Sequence, residues 1–343
     1  MSTDREKTGL KGPIKEVLIE TVQLEVHDGQ IAEKPWLSNK KIFNRDGQVI
    51  EEVYRNADGS ESRAVHDYSD SGNLLATRGF DSMGTLGSEM RYIYDAKDRL
   101  AAEQQVTRDG KVTTSATYTY DDTGRKLKIQ ELDSFGTANL MIGIEGTSTT
   151  ISASEASRVE SRYDDRGEVV EVRVFNTDGA LVSRMEITRD EHGNSLEETQ
   201  YVGDVFPFGP CASDSCSTQE MATLTEEQKM EFEAEVARLF SPGSVMSKHA
   251  HRYDTEGRLI ESKLMMMGMD VSRQTFAYDE LGNRSEEVIY NENETSGRKA
   301  VFEREYDNHG NWTKELVSTA SSWDDEFGVS TPSHLTRRHI TYW

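Results

Sequence analysis

The chain has 343 residues, with 62 acidic against 39 basic side chains, a net charge of -23 and a mean hydropathy of -0.71. Phosphate contacts and attraction to anionic lipid both depend on Lys and Arg, so this balance speaks against a nucleic-acid partner and against adhesion to a membrane surface, and reads as solubility. The 35% hydrophobic content, about 43% once the 26 glycines are counted, predicts one thin apolar layer, and no apolar run approaches the roughly 18 residues of a membrane-spanning helix.

In chain order, Met1 to Lys11 is polar and lacks a signal-peptide pattern. The N-terminus reads as cytosolic, or as a mature chain whose signal has been removed. Alternation from Ile14 to Val26 predicts an entry strand within an N-terminal segment and cap over residues 1–41. From Ile42 a turn recurs with a period close to 26 residues. Clear copies are Tyr120-Asp121-Asp122-Thr123-Gly124, Tyr163-Asp164-Asp165-Arg166-Gly167, Tyr253-Asp254-Thr255-Glu256-Gly257, Tyr278-Asp279-Glu280-Leu281-Gly282 and Tyr306-Asp307-Asn308-His309-Gly310. Weaker copies open at Phe43, Tyr68, Tyr94 and Arg189. Asp bonds to its own turn and Gly supplies positive φ, so Tyr is expected to pack at the strand end, Asp to cap the turn and Gly to close it.

At the half-period lies a second turn, as in Asn56-Ala57-Asp58-Gly59 and Asn176-Thr177-Asp178-Gly179. The segments between alternate with period two: Val170, Val172 and Val174 share one face, and Val169, Glu171 and Arg173 the other. A repeat of this size is one supersecondary unit, here two strands and two turns. The array spans residues 42–317 and is followed by a C-terminal loop and closing strand over 318–343.

Two insertions break the rhythm. Residues 137–157 are rich in Gly, Ser and Thr and read as a loop with a short strand at Leu140–Ile144. Residues 202–248 hold Cys211 and Cys216, then a capping-box start at Thr225, an apolar stripe of Phe232, Val236, Leu239 and Phe240, and a stop at Pro242-Gly243. That predicts one helix lying over a face or an open end of the sheet. For the cysteines a local disulfide, two free thiols and a metal all stay open.

Few residues carry chemistry. His249 and His251 share a strand face and form a weak metal-ligand pair without a third ligand; no cofactor is expected. The turn carboxylates, including Asp95, Asp121 and Asp164, suit turn capping better than a calcium ladder. His192 and His309 read as exposed turn fillers. Met265 to Met269 reads as packing against the inserted helix. Trp36, Trp312, Trp323 and Trp343 read as caps on sheet ends, or as platforms for sugars or an interface. Searches for a nucleophile elbow, a phosphate loop, a dinucleotide loop and a His-Glu-x-x-His helix all fail.

The strong turn resembles the YD repeat of the RHS family of bacterial proteins over most of Ile42 to Lys314, outside the insertions. The opening Leu10-Lys11-Gly12-Pro13-Ile14 and the stretch Gly310-Asn311-Trp312-Thr313 resemble small stand-alone YD-repeat proteins of the cell envelope. The resemblance implies a long β-meander, wound into a hollow shell in the large members. The chain is much shorter than those and lacks their self-cleavage motif, so toxin encapsulation is not expected.

The expected fold is all-β: an antiparallel β-meander of YD-type hairpin repeats, about 18 to 20 strands in a coiled or wound sheet, with one helix-bearing insertion. The expected function is a non-enzymatic binding or scaffold protein, secreted or of the cell envelope. Its partner is another copy met through edge strands, an envelope protein, or a polysaccharide. Alternatives are a shell enclosing another polypeptide and a carbohydrate-active enzyme with dispersed acidic residues.

Overall fold

Strong-turn residues set the fold. In the computed structural model the described residues are 3–27, 30–131, 138–144, 147–153, 156–205, 225, 230, 234, 237–291, 296–323 and 326–343. A four-residue helix, α1 (Asp4–Lys7), precedes β1 (Ile14–His27), β2 (Gln30–Phe43), β3 (Val49–Asn56), β4 (Glu61–Tyr68), β5 (Leu74–Phe80), β6 (Leu86–Tyr94), β7 (Leu100–Val106) and β8 (Val112–Tyr120). Next come β9 (Lys126–Glu131), β10 (Ala138–Ile144), β11 (Thr147–Ala153), β12 (Ala156–Tyr163), β13 (Val169–Asn176), β14 (Leu181–Arg189), β15 (Ser195–Val202), β16 (Val245–Tyr253) and β17 (Leu259–Met266). The last are β18 (Met269–Tyr278), β19 (Arg284–Asn291), β20 (Ser296–Tyr306), β21 (Trp312–Trp323), β22 (Glu326–Phe327) and β23 (Thr331–Tyr342). The protein is thus an all-β antiparallel meander with almost no helix among the described residues.

Each strong turn closes in one way. At Asp164 the backbone N–H donates to the Glu168 carbonyl at 2.9 Å, and the Gly167 N–H donates to the Asp164 carbonyl at 3.1 Å. Asp164 Oδ1 accepts the N–H groups of Arg166 and Glu168 at 3.0 and 2.9 Å. Gly167 stands at φ 85°, a conformation that costs a side chain dearly. In the turn opened by Tyr94 the same slot holds Asp98 at φ 63°, a residue type that tolerates it.

The opening aromatic sits at a ladder irregularity. Register shifts fall at Ile42/Phe43, Asp67/Tyr68, Ile93/Tyr94, Arg162/Tyr163, Arg252/Tyr253 and Glu305/Tyr306. A bulge re-aims a side chain, and here it turns the aromatic toward the preceding strong turn.

The chain forms two compact units: unit 1 is Met1–Thr114, Phe276–Ile289 and Thr295–Trp343, and unit 2 is Ser115–Thr275 with Tyr290–Glu294. In unit 2 the ladder runs from β8 through β9 to β12, then stepwise through β13, β14, β15, β16, β17 and β18. Its core is Ala156, Val159, Val172, Val174, Val182, Met185 and Ile187. The stretch read as a loop over 137–157 holds the β10–β11 hairpin, a separate two-stranded sheet.

In unit 1 the ladder runs from β7 stepwise back to β1. There it continues: β1 pairs β23 from Ile14↔Tyr342 to Gln23↔His334, and β23 pairs β21, which pairs β20. The first and last strands are therefore interior neighbours. The terminal strands β1 and β23 are not the edges through which another copy would pair. The boundaries expected at 41/42 and 317/318 fall inside β2 and β21, because the two ends of the chain build one unit.

The N-terminal segment locks this junction. Asp4 Oδ2 accepts the Val49 N–H at 3.1 Å and the Tyr68 hydroxyl at 3.0 Å, and the Arg5 N–H donates to the Gly47 carbonyl. Lys11 N–H donates to Asn311 Oδ1 at 2.7 Å, and Asn311 Nδ2 donates back to the Lys11 carbonyl at 2.9 Å. Residues 3–13 thus bridge the first strong turn and the last. Beneath them Leu10, Ile14, Val17, Phe43 and Val49 form a core, with Ile19, Ile340 and Tyr342 packed against it.

Of the predicted helix, the described residues 230, 234 and 237–239 are helical, and a turn with Gly243 at φ 83° follows. Cys211, Cys216, Phe232 and Val236 lie outside the described residues. Met267 and Gly268, both at positive φ, make the tight turn between β17 and β18. Met266 and Met269 around it are 42% and 65% exposed, so these two methionines face solvent.

Candidate functional site

The strong-turn residues build a lattice. The Tyr94 hydroxyl donates to the Leu74 carbonyl at 2.9 Å, and the Tyr253 hydroxyl to the Ser195 carbonyl at 2.9 Å. Arg189, standing where other repeats have Tyr, donates to the Val169 carbonyl at 3.1 Å. Tyr306 donates to Asp279 Oδ2 at 2.7 Å, and Tyr342 donates to Asp307 Oδ2. Each of these groups ties one strong turn to the turn or strand start before it. Burial and the Asp4 carboxylate raise the Tyr68 hydroxyl, so it stays protonated and donates.

That lattice occupies the carboxylates weighed for calcium. Asp121, Asp254, Asp279 and Asp307 each accept two backbone N–H groups on Oδ1. Oδ2 of Asp254 binds Arg258 at 2.7 Å, and Oδ2 of Asp279 and Asp307 binds tyrosine. Among the described residues no group of three His, Cys, Asp or Glu is placed to hold a metal ion.

His249 and His251 share a face of β16, with ring centroids 6.2 Å apart. The register sets Glu198 opposite His249, and Glu198 Oε1 lies 3.5 Å from His251 Nε2. Both partners are fully buried, and Ser195 Oγ donates to the same carboxylate oxygen at 3.4 Å. Beside them Gln200 bridges Ser183 and Ser247 at 3.0 and 3.2 Å. Burial lowers the His249 imidazole. Sequence reading did not connect Glu198 to the histidines, because residues 202–248 separate them. His192 is exposed in its turn; His309 is exposed too, but its ring stacks on Tyr342 at 4.1 Å.

Charged pairs cover the opposite face of unit 2. Glu171 pairs with Arg162 and Arg173 at 3.2 and 2.7 Å, and Glu261 with Arg252 and Arg273 at 3.4 and 2.9 Å. Burial alone would raise the Glu261 carboxyl, but the Arg273 guanidinium outweighs it and the net shift is downward.

The concave feature of unit 1 lies where the repeat stops. Strands β1, β2, β20, β21 and β23 run 11 to 14 residues, against 7 to 9 for β3 to β7. Pairing with β3 ends at Leu37↔Asn56, while β2 continues to Gln30 with residues 30–37 exposed. At this step the register jumps from Thr21↔Leu37 to Val22↔Pro35, which leaves Trp36 as the bulged residue. The indole is 48% exposed and tilts toward His334 at 5.2 Å.

Trp36, Leu37, Ser38, Glu20, Thr21, Asn56 and Arg337 line a depression of about 320 Å³. A second one of about 400 Å³ lies over Leu24, Ile31, Leu316, Pro332 and Leu335, rimmed by Glu33, Arg304 and Lys314. Val22, Leu24, Leu335 and Leu316 form one cluster beneath the two. Between them stands the Arg337–Glu33 pair, 2.6 Å apart; its hydrogen bonding lowers the Glu33 carboxyl and raises the Arg337 guanidinium. Volumes of this size suit a small ligand or one unit of a longer one.

The other tryptophans are differently placed. Trp312 lies under the Arg338 guanidinium at 3.3 Å, and burial pushes that guanidinium down to about 10. Trp343 sits between Lys15 and Arg45, each 5.4 Å from its ring. Trp323's side chain lies outside the described residues.

No family model matches the chain, and no curated protein matches it. Among solved structures it is similar to a porin-like protein from Bacteroides uniformis ATCC 8492, at 11% identity and a TM-score of 0.34, over 96% of this chain and 98% of that one. It is also similar to part of TcdB2-TccC3, at 13% identity and a TM-score of 0.28, over 88% of this chain and 17% of that one. A DUF1329 family protein from Desulfovibrio piger ATCC 29098 aligns at 10% identity and a TM-score of 0.16, over 55% of this chain and 79% of that one. Scores this low show no family.

Proposed function

We propose that the chain is a non-enzymatic binding scaffold of the bacterial cell envelope or extracellular space, whose long strands in unit 1 present a grooved face to a partner. The observation that carries this reading is the two-lobed groove over Val22, Leu24, Leu316 and Leu335, set on a sheet whose turns are tied to one another. Carboxylate chemistry supports the non-enzymatic half. A general acid needs a raised carboxyl, whereas the hydrogen bond from Arg337 lowers the carboxyl of Glu33, which stands between the two lobes of the groove.

Co-sedimentation of the purified protein with isolated envelope and cell-wall material tests the reading. The protein is expected in the pellet, with no release of reducing ends or peptides over hours. Catalytic release of soluble products, or absence from every pellet, would overturn it.

A further inference from the structure

We infer that the groove of unit 1 binds a neutral polysaccharide chain, with Trp36 as the stacking platform of one subsite. The inference rests on the binding-scaffold reading and adds the ligand class and the residues.

Trp36 supplies the first argument. An aromatic on a strand this open gains nothing from burial, yet the bulge between Thr21↔Leu37 and Val22↔Pro35 leaves Trp36 lining the depression together with Glu20, Asn56 and Arg337. A flat indole beside fixed polar groups suits the apolar face and hydroxyl rim of a sugar ring.

Charge supplies the second. Glu20 is bonded to His339 at 2.9 Å, Glu33 to Arg337 at 2.6 Å, Lys314 to Glu305 at 2.7 Å, Arg304 to Glu315 at 2.7 Å and Arg55 to Glu61 at 2.7 Å. Glu20, whose His339 partner is charged only when protonated, and exposed Glu303 leave two carboxylates at the rim. Paired charges of this kind offer oriented donors and acceptors with little net field, which fits hydroxyl groups. A polyanion would meet both these carboxylates and the net charge of -23.

The edge of β2 supplies the third. A peptide adding as a strand needs a regular run of free N–H and C=O groups. Residues 30–36 carry Lys34, Pro35 without an N–H, and the Trp36 bulge, all of which blunt an edge. Two lobes over one apolar floor suit a chain of several sugar units.

Affinity gel electrophoresis of the full chain against dextran, a soluble β-1,3-glucan, xylan and mannan tests this, with alginate as the polyanion. Retardation by at least one neutral polysaccharide is expected. Trp36→Ala should weaken it at least 10-fold at an unchanged melting temperature, Trp36→Phe should keep most of it, and Trp343→Ala should leave it unchanged. Wild-type retardation in Trp36→Ala, or retardation by alginate alone, would overturn the inference. If Trp36→Ala also still pellets with envelope material, the binding-scaffold reading stands without this groove. If the wild type is retarded by no neutral polysaccharide, the ligand class is wrong, and the envelope pellet decides separately whether the scaffold reading survives.

Discussion

Units 1 and 2 are built from the same turn and the same hairpin, yet they are held together differently. In unit 2 the core of Val159, Val172, Val174, Met185 and Ile187 comes from consecutive strands, and the buried Glu198–His251 contact joins neighbours in the ladder. In unit 1 the core joins the two ends of the chain, with Leu10, Ile14 and Val17 packed beside Phe43, Ile340 and Tyr342. The repeat supplies cohesion between neighbours and has no means of its own to join its ends. The dedicated parts of the chain do that: residues 3–13, the long β1 and the long β23. The groove lies in those same long strands, so the departure from the repeat both closes unit 1 and creates its concave face.

The largest expected effect would break the comparison at unit 1's core. Phe43 is fully buried, and Phe43→Ala should cost about 3–5 kcal/mol. Hydrogen exchange should then rise in β1, β2 and β23 before it rises in β12 to β14. Equal opening of both sets would mean the two cores are one cooperative structure.

Second is the buried polar contact of unit 2. Glu198→Leu should cost about 3 kcal/mol in urea unfolding, because it leaves His251 and Ser195 facing an apolar side chain. Combining it with His251→Leu should recover part of that loss. A double variant whose loss equals the sum of the singles would show that the two side chains act independently.

The N-terminal clasp comes third. Asn311 holds both polar backbone groups of Lys11 and donates to the Tyr342 hydroxyl, so Asn311→Ala should cost about 1–3 kcal/mol. The expected signature is faster exchange confined to β1, β23 and residues 3–13, with unit 2 unchanged.

A smaller effect depends on pH. His66 at 3.9 Å and Lys41 at 2.5 Å pull the Glu52 carboxyl from 4.5 down to about 2. Because the folded value is depressed, Glu52 contributes fully above about pH 4.5, and its contribution fades as the pH falls toward 2. With allowance for solvent screening this is about 1 kcal/mol. Acid titration of Glu52→Gln should show a correspondingly flatter stability profile; an unchanged profile would remove Glu52 from the acid response.

Strands and strong turns were legible in the sequence because their signals are local. Tyr, Asp and Gly recur at fixed offsets, and apolar alternation marks the strands between. The β1–β23 pairing was not legible, since no local signal sets the register of Thr21 against Thr336. The far half of β2 was hidden too: Glu33, Lys34 and Pro35 fell within the N-terminal cap over residues 1–41, and that strand is held by β1 and not by its own alternation. Glu198 stayed unlinked to His251 for want of any signal across the insertion. Trp36 was noted as an aromatic at an end of the array, but its aim depends on the bulge, which only the pairing with β1 reveals.

The pairing of the first and last strands carries the account, because it builds unit 1 and the floor of the groove. Thr21 and Thr336 face each other across it, their hydroxyl oxygens 3.2 Å apart. Thr21→Cys with Thr336→Cys, in a chain carrying Cys211→Ser and Cys216→Ser, should form a disulfide within one chain on mild oxidation at high dilution, read by mobility on a non-reducing gel and by mass spectrometry of the linked peptides. A chain that stays reduced, or that links only to other chains, would contradict the account.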